Sequence, residues 1–141
     1  MRISVVSGGF DPIHSGHISY INAAKEYGEY VIVALNSDEW LRKKKGKFFM
    51  PFKERKNILE NLKNVNEVIS FEDDAAGSCK NALIEIKKKY PKSNITFCNG
   101  GDRNKDNFLE SNITGIKFVF EVGGDTKINS SSRILEKWLQ K

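Results

Sequence analysis

The sequence contains little cysteine and little proline: 2 and 3 residues of 141. The two cysteines, Cys79 and Cys98, form no C-x-x-C pair, which argues against a disulfide scaffold or a cysteine zinc site and predicts a reducing cytoplasm. No apolar run approaches the roughly 18 residues that a membrane span requires. The first residues also lack the long apolar segment of a signal peptide. We therefore expect a cytoplasmic protein without a membrane association.

Excess charge of one sign is also small. The chain has 23 Lys+Arg and 18 Asp+Glu, a formal net charge of +5. Much of the excess lies in two runs, 42–47 and 87–92, and the second reads as the solvated end of a helix. Aromatic residues do not alternate with these charges as they do in single-strand binders. A nucleic-acid binder remains an alternative reading of the basic runs, but we expect no nucleic-acid partner.

The chain does contain alternating strand and helix patterns. Hydrophobic residues make up 39% of it, which is too many for a disordered chain. Strands are predicted at 3–6, 30–35, 65–71, 95–98 and 116–122, and helices at 17–27, 51–63, 79–90 and 132–139. Gly28 is a candidate helix C-cap, and 37–50 reads as a polar, basic loop. This order predicts one α/β domain, 1–141, with a doubly wound, Rossmann-like parallel sheet of about five strands.

Glycines and polar residues follow most of the predicted strands. In a doubly wound sheet, ligands bind beyond the carboxyl ends of the strands, at the point where the strand order reverses. Four segments are expected at this edge: 8–17, then 36–38 with the basic run 42–47, then 100–103, and last 123–125 with 130–132. Such a collection suits a phosphate-rich ligand.

Two histidines, His14 and His17, stand three residues apart at the start of the first predicted helix. This spacing places them on one face, beside the backbone N–H groups and the positive dipole end of the helix. Gly16 and Gly8-Gly9 leave room for close approach of a phosphate. Capping or packing histidines are the plain alternative, and a zinc site is less favoured because further ligands are missing. Neither a Walker motif nor a G-x-G-x-x-G fingerprint occurs.

The pattern Gly9-Phe10-Asp11-x-x-His14-x-Gly16-His17 after a strand resembles the signature of the cytidylyltransferase-like nucleotidyltransferases, HIGH-type α/β enzymes. Further segments, 30–38, 51–62, 68–73 and 100–102, resemble their sugar- and polyol-phosphate members, above all the heptose-phosphate adenylyltransferases and glycerol-phosphate cytidylyltransferases. The resemblance implies transfer of a nucleoside monophosphate from ATP or CTP to a phosphorylated sugar or polyol, with release of pyrophosphate. It also implies Mg²⁺ bound through the triphosphate and a homodimer.

The resemblance assigns roles by position. His14 and His17 would stabilise the transition state at the α-phosphate, together with Lys44 or Lys45. Arg55 and Arg103 would bind the acceptor, and Arg55, three residues before Ile58, should be partly buried. No residue is expected to bind a metal directly. The implied nucleotide-binding residues are Gly8, Gly9, Phe10, Asp11, Gly16, Gly100, Gly101, Asp102, Ser130 and Ser131.

Several alternatives stay open at the level of sequence. Cytidylyltransferases carry an R-T-E-G-I-S-T-T-like segment before the last helix, where this chain has Asp125 at the arginine position and Ile128 at the glycine position. The sequence therefore decides neither between CTP and ATP nor on the acceptor. A non-catalytic nucleotide-binding or regulatory module on the same fold is the alternative function, although the presence of both histidines argues against it.

Overall fold

A computed structural model of the chain describes residues 1–100, 113–123 and 130–140. Within them, the strands are β1 Arg2–Gly8, β2 Tyr30–Leu35, β3 Glu67–Ile69, β4 Asn94–Cys98 and β5 Ile116–Val119. The helices are α1 Ser15–Ala24, α2 Asp38–Lys45, α3 Phe52–Glu60, α4 Lys80–Lys89 and α5 Ser131–Leu139. No helix in these three ranges is both long enough and apolar enough to cross a bilayer.

The strands form one parallel sheet in the order β3-β2-β1-β4-β5. The chain moves outward from β1 to β2 and β3, then crosses back to β4 on the other side of β1. The strand order therefore reverses between β1 and β4, and this is the point where doubly wound sheets bind ligands. The predicted fold class, a doubly wound parallel sheet of about five strands, is confirmed.

Apolar side chains cover both faces of the sheet, as buried parallel strands require. Alternate residues of β1 separate the two layers, since Val6 packs in one and Val5 in the other. The first layer includes Ile21 of α1 and Leu59 of α3. The second includes Leu83 and Ile86 of α4. Helices on both faces thus fix the sheet, while its carboxyl edge carries the loops.

The prediction of a polar loop over 37–50 was wrong for 38–45, because these residues, with Lys43, Lys44 and Lys45 in the last turn, form α2. Ser37 caps this helix, with its Oγ accepting a hydrogen bond from the Trp40 N–H at 3.0 Å. Acidic residues occupy the first turn and basic residues the last, which suits the helix dipole. Gly46 ends the helix in the left-handed region, with φ 88°. These capping signals were present in the sequence, although the segment contains few apolar residues.

Smaller differences have local causes. Pro51 is the N-cap of α3 and not part of its first turn. The last strand ends at Val119, three residues before the predicted end, and Glu121 has φ 57°. Gly28 does follow a 3₁₀ turn, but its backbone is extended, with φ −175°. Its lack of a side chain matters instead for packing, because a Cβ there would lie 2.7 Å from the Ile3 carbonyl carbon.

Candidate functional site

The two histidines cap the start of α1. His14 is the N-cap residue, and its Nδ1 accepts a hydrogen bond from the Gly16 N–H at 3.0 Å. His17 Nδ1 in turn accepts from the His14 N–H at 3.2 Å. This is a capping box with histidine in both of its positions, which are usually held by Ser or Thr and by Glu or Gln. The hydrogen bonds that cap the start of α1 therefore also fix the orientation of both imidazole rings.

This capping determines how the imidazoles present their protons. Because Nδ1 of each ring accepts from a backbone N–H, a neutral ring carries its proton on Nε2. The rings of His14 and His17 stack with centroids 3.9 Å apart, and Phe10 packs against His17 at 4.7 Å. Two Nε2–H donors are thus held side by side at the positive end of a helix dipole, where they could stabilise negative charge.

The signature loop, residues 9–13, joins β1 to the histidines. Phe10 is buried with φ 51°, in the left-handed region that costs an ordinary residue roughly 1–2 kcal/mol. Asp11 is 1% exposed, and its carboxylate accepts from the N–H groups of Phe49 and Met50, both at 2.6 Å. Asp11 therefore fastens the signature loop to the α2–α3 loop, residues 46–51.

The glycines predicted to bind nucleotide lie at the carboxyl edge of the sheet. Gly8 ends β1, and Gly9 follows it. A Cβ on Gly9 would lie 2.7 Å from Leu41 Cδ2, so glycine lets the signature loop approach α2 closely. Gly16 donates to His14 as described, and Gly100 follows β4 by two residues. The other three predicted residues of this region lie outside the described residues: Gly101, Asp102 and Arg103.

The structure separates the two candidate lysines. Lys45 Nζ donates to the Asp11 carbonyl oxygen at 2.9 Å, while Lys44 Nζ lies over the Trp40 ring, 4.7 Å from its centroid. Desolvation lowers the pKa of the Lys45 ammonium from its usual 10.5, and the nearby Asp11 charge opposes that shift. The Lys45 cation therefore lies at the signature loop, and Lys44 lies against an aromatic ring of its own helix.

The start of α5 also reaches the signature loop. Ser130 caps this helix by accepting from the Arg133 N–H at 3.2 Å. Ser131 Oγ donates to the Pro12 carbonyl oxygen at 2.7 Å. The first turn of α5 thus contacts the signature loop two residues before His14, and the phosphate-binding roles of the two serines stay predictions.

Arg55 is buried far more completely than the predicted partial burial. The residue is 1% exposed, and its guanidinium forms an ion pair with Asp38 Oδ1 at 2.7 Å. Its other hydrogen bonds go to backbone carbonyl oxygens of Gly9, Asn36 and Met50. In this arrangement the guanidinium presents no surface to an acceptor phosphate. The predicted role of Arg55 in acceptor binding stays a prediction, and the burial of the side chain argues against it.

Sequence reasoning placed 36–38 at this edge but missed what these residues do. Asp38, in the first turn of α2, is the ion-pair partner of Arg55. Ser37 both caps α2 and donates its hydroxyl to Asp73 Oδ2 at 2.5 Å, which links the ends of β2 and β3. Trp40 donates its indole N–H to the Gly77 carbonyl oxygen at 2.9 Å. The position of Asp38 directly after a strand was the one available signal.

The chain matches the family model described as "Cytidylyltransferase-like" over residues 5–137. Among curated relatives, it is 30% identical to the bifunctional protein HldE of Alcanivorax borkumensis, over 99% of this chain and 28% of that protein. It is 35% identical to the bifunctional protein HldE of Blochmanniella floridana, over 87% of this chain and 23% of that protein. The chain therefore spans about a quarter of the length of these relatives.

Solved structures agree on the fold. A lipopolysaccharide core biosynthesis protein from Thermoplasma volcanium superposes with a TM-score of 0.66 at 24% identity, over 85% of this chain and 95% of that chain. A bifunctional NMN adenylyltransferase/ADP ribose pyrophosphatase from Francisella tularensis superposes with a TM-score of 0.67 at 17% identity, over 99% of this chain and 42% of that chain. The parallel sheet, the paired histidines at the start of α1 and the family match over almost the whole chain lead to one conclusion: this chain belongs to the cytidylyltransferase-like family of nucleotidyltransferases.

Proposed function

We propose that the chain transfers a nucleoside monophosphate from ATP or CTP to a phosphorylated sugar or polyol and releases pyrophosphate. The observation that carries this proposal is the stacked pair His14 and His17, whose Nδ1 atoms are both occupied by backbone N–H groups of α1. Such a pair supplies two N–H donors that do not need to reorient when negative charge develops nearby, which is the arrangement that favours a charged transition state.

The reaction needs no covalent intermediate with the protein. An oxygen of the acceptor phosphate attacks the α-phosphorus, the new bond joins acceptor and nucleotide, and the bond to the β-phosphate oxygen breaks as pyrophosphate leaves. The attacking group is already an anion, so the protein has to bring two anions together and stabilise the charge that develops. Lys45, whose Nζ donates to the Asp11 carbonyl oxygen of the signature loop, is the cation that we assign to neutralising that charge.

The remaining predicted contacts extend this proposal. The β- and γ-phosphates would bind at the start of α5, where Ser130 and Ser131 lie beside the signature loop. The nucleoside would bind beyond β4, at 100–102, and Arg103 is the proposed acceptor ligand. Mg²⁺ would enter as part of the substrate, held by triphosphate oxygens and water. A homodimer remains part of the proposal.

The test is a matrix of the four nucleoside triphosphates against phosphorylated sugars and polyols, with Mg²⁺, read by pyrophosphate release. The panel begins with heptose 1-phosphates and glycerol 3-phosphate, because the sequence resembles the enzymes that use such acceptors. Turnover above background for a pair containing ATP or CTP supports the proposal. Dependence on both substrates separates nucleotidyl transfer from simple triphosphate hydrolysis.

A matched variant excludes a contaminating enzyme. In His17→Gln the glutamine amide oxygen can still accept from the His14 N–H, as Gln does in an ordinary capping box, while the imidazole is lost. This variant, purified in the same way as the wild type, should bind triphosphate but release pyrophosphate about 10²–10³-fold more slowly. Binding of ATP or CTP by the wild type with no turnover across the matrix would contradict the proposal and favour a non-catalytic nucleotide-binding module.

A further inference from the structure

One buried cation connects four separate segments at the ligand edge. Arg55 Nη1 donates to the carbonyl oxygens of Gly9 and Asn36, both at 2.8 Å. Its Nε donates to the Met50 carbonyl oxygen at 2.9 Å, and its Nη2 to Asp38 Oδ1 at 2.7 Å. The acceptors belong to the signature loop, the end of β2, the α2–α3 loop and the first turn of α2.

The α2–α3 loop is held from two directions. The Met50 N–H donates to Asp11 Oδ1, while the Met50 carbonyl accepts from Arg55. Asp11 and Gly9 both belong to the signature loop, so Met50, Arg55 and this loop form a closed set of hydrogen bonds. Lys45, at the other end of α2, adds a further contact to the Asp11 carbonyl oxygen.

A buried ion pair is a weak source of stability, because desolvating two charges offsets much of their attraction, and apolar residues of similar volume often serve as well. Arginine is suited to a different task here, since its planar fork donates in several fixed directions at once. The side chain is 0% exposed, so its bonds are not shared with bulk water. The arrangement therefore fixes relative position more than it adds stability.

We propose that Arg55 is a positioning residue, which holds the signature loop, the start of the lysine-bearing helix α2 and the α2–α3 loop in the register that places Lys45 against the Asp11 carbonyl oxygen of the signature loop. The catalytic consequence rests on the proposed function, whereas the structural consequence does not. If Arg55 instead left these partners to bind an acceptor phosphate, its loss would act on acceptor binding alone.

The first test measures amide hydrogen exchange in Arg55→Lys, which keeps the charge and loses the fork. The Asn36, Phe49 and Met50 amides are hydrogen-bonded in this region. They should exchange at least about tenfold faster in the variant, because local opening becomes easier, while Val33 and Phe97 in the sheet stay within about twofold. Lys53→Met removes a positive charge from an exposed position of the same helix and should leave all five amides unchanged. Unchanged exchange in Arg55→Lys would overturn the proposal.

The second test compares kinetic constants on the best substrate pair from the matrix. Arg55→Lys should lower kcat about 100-fold, the size of effect that a misplacement of about 1 Å produces, with both KM values within about threefold of wild type. A rise in acceptor KM alone would identify Arg55 as a phosphate ligand and overturn the proposal. If Arg55→Lys lowers Tm but leaves kcat unchanged at a temperature well below that Tm, Arg55 only stabilises the fold and the proposal is overturned. If the wild type turns over no pair, the proposed function fails and the exchange measurement alone decides on Arg55.

Discussion

Lys45 Nζ donates a hydrogen bond to the carbonyl oxygen of Asp11 at 2.9 Å, across 34 residues of sequence. This contact joins the last turn of α2 to the signature loop and places a cation on the loop that leads to the paired histidines. The neighbouring Lys44 lies over the Trp40 ring instead. Adjacent residues on a helix point about 100° apart, so two neighbouring lysines cannot both face the loop.

Lys45→Ala should therefore lower kcat by about 100-fold, comparable to removing one preorganised donor from a charged transition state. Lys44→Ala should stay within about threefold of wild type, because the exposed Lys44 side chain lies over the Trp40 ring and not at the signature loop. Pyrophosphate release under saturating substrates measures both. Equal, mild losses from the two variants would show that neither ammonium acts at the reacting phosphate.

His17→Gln should lower turnover by about 10²–10³-fold, while its free energy of unfolding stays within about 0.5 kcal/mol of wild type because the capping acceptor is retained. His17→Ala should lose the same activity and additionally about 1 kcal/mol of stability with the capping contact. Urea unfolding and the pyrophosphate assay separate these two effects. Near-normal turnover in the glutamine variant would remove the histidine from the reaction.

A second polar cluster, at the amino ends of the strands, should make stability depend on pH. Glu67 accepts from the hydroxyls of Tyr30 and Tyr90 and from Lys89 Nζ, at 3.0, 2.6 and 2.6 Å. Burial alone would raise the pKa of Glu67, but these hydrogen bonds outweigh it and hold the pKa below 4.5. A carboxylate with a lowered folded pKa stabilises the protein above its unfolded pKa and loses this contribution as pH falls through the folded pKa.

Glu67→Gln should consequently destabilise the protein by about 1 kcal/mol at pH 7, and the difference should shrink towards zero as the pH falls through the lowered pKa of Glu67. Urea unfolding across this pH range provides the measurement. Glu85→Gln, an exposed position on the neighbouring helix α4, is the matched control and should match wild type throughout. A Glu67 variant whose deficit persists at low pH would mean that the loss comes from packing and not from charge.

Gly28→Ala should destabilise the fold by about 1–3 kcal/mol, because overpacking against a rigid neighbour forces the backbone to move. The added Cβ would lie 2.7 Å from the Ser4 nitrogen and from the Ile3 carbonyl carbon, both in the central strand β1. Gly46→Asn is the comparison: among the described residues, no atom outside its immediate chain neighbours lies within 4 Å of a Cβ there, and Asn adopts the left-handed region readily. Equal midpoints of urea unfolding for the two variants would contradict this account.

The alternation of patterns was enough to predict the sheet and the edge at which its polar loops lie, because buried parallel strands and amphipathic helices have strong local signals. The helix α2 was missed for the opposite reason. Among its eight residues only Leu41 is a buried apolar anchor, so its evidence lay in Ser37, in the order of charges and in Gly46. In this segment, the capping residues indicate the helix more clearly than hydrophobic periodicity does.

The site was predictable to the extent that its residues are contiguous. The histidine pair follows from one short motif, and the structure brings Ser131 and Lys45 to the same loop. The partners of Arg55 were not predictable, because Asp38 and Gly9 are 17 and 46 residues away from it and three of its four acceptors are backbone carbonyls, which any residue provides. Such contacts depend on how the loops pack, and the types of the residues involved do not indicate them.

The position of Trp40 makes its fluorescence a probe of the candidate site. Its indole N–H is bonded to Gly77, a lysine ammonium lies over its ring, and it stands on the helix that carries Lys45. The chain has 2 tryptophans, and Trp138, on α5, is 60% exposed, so Trp138→Phe would leave Trp40 as the single indole emitter. Its fluorescence would then report movement of α2 on a stopped-flow timescale, before any substrate pair is known to react.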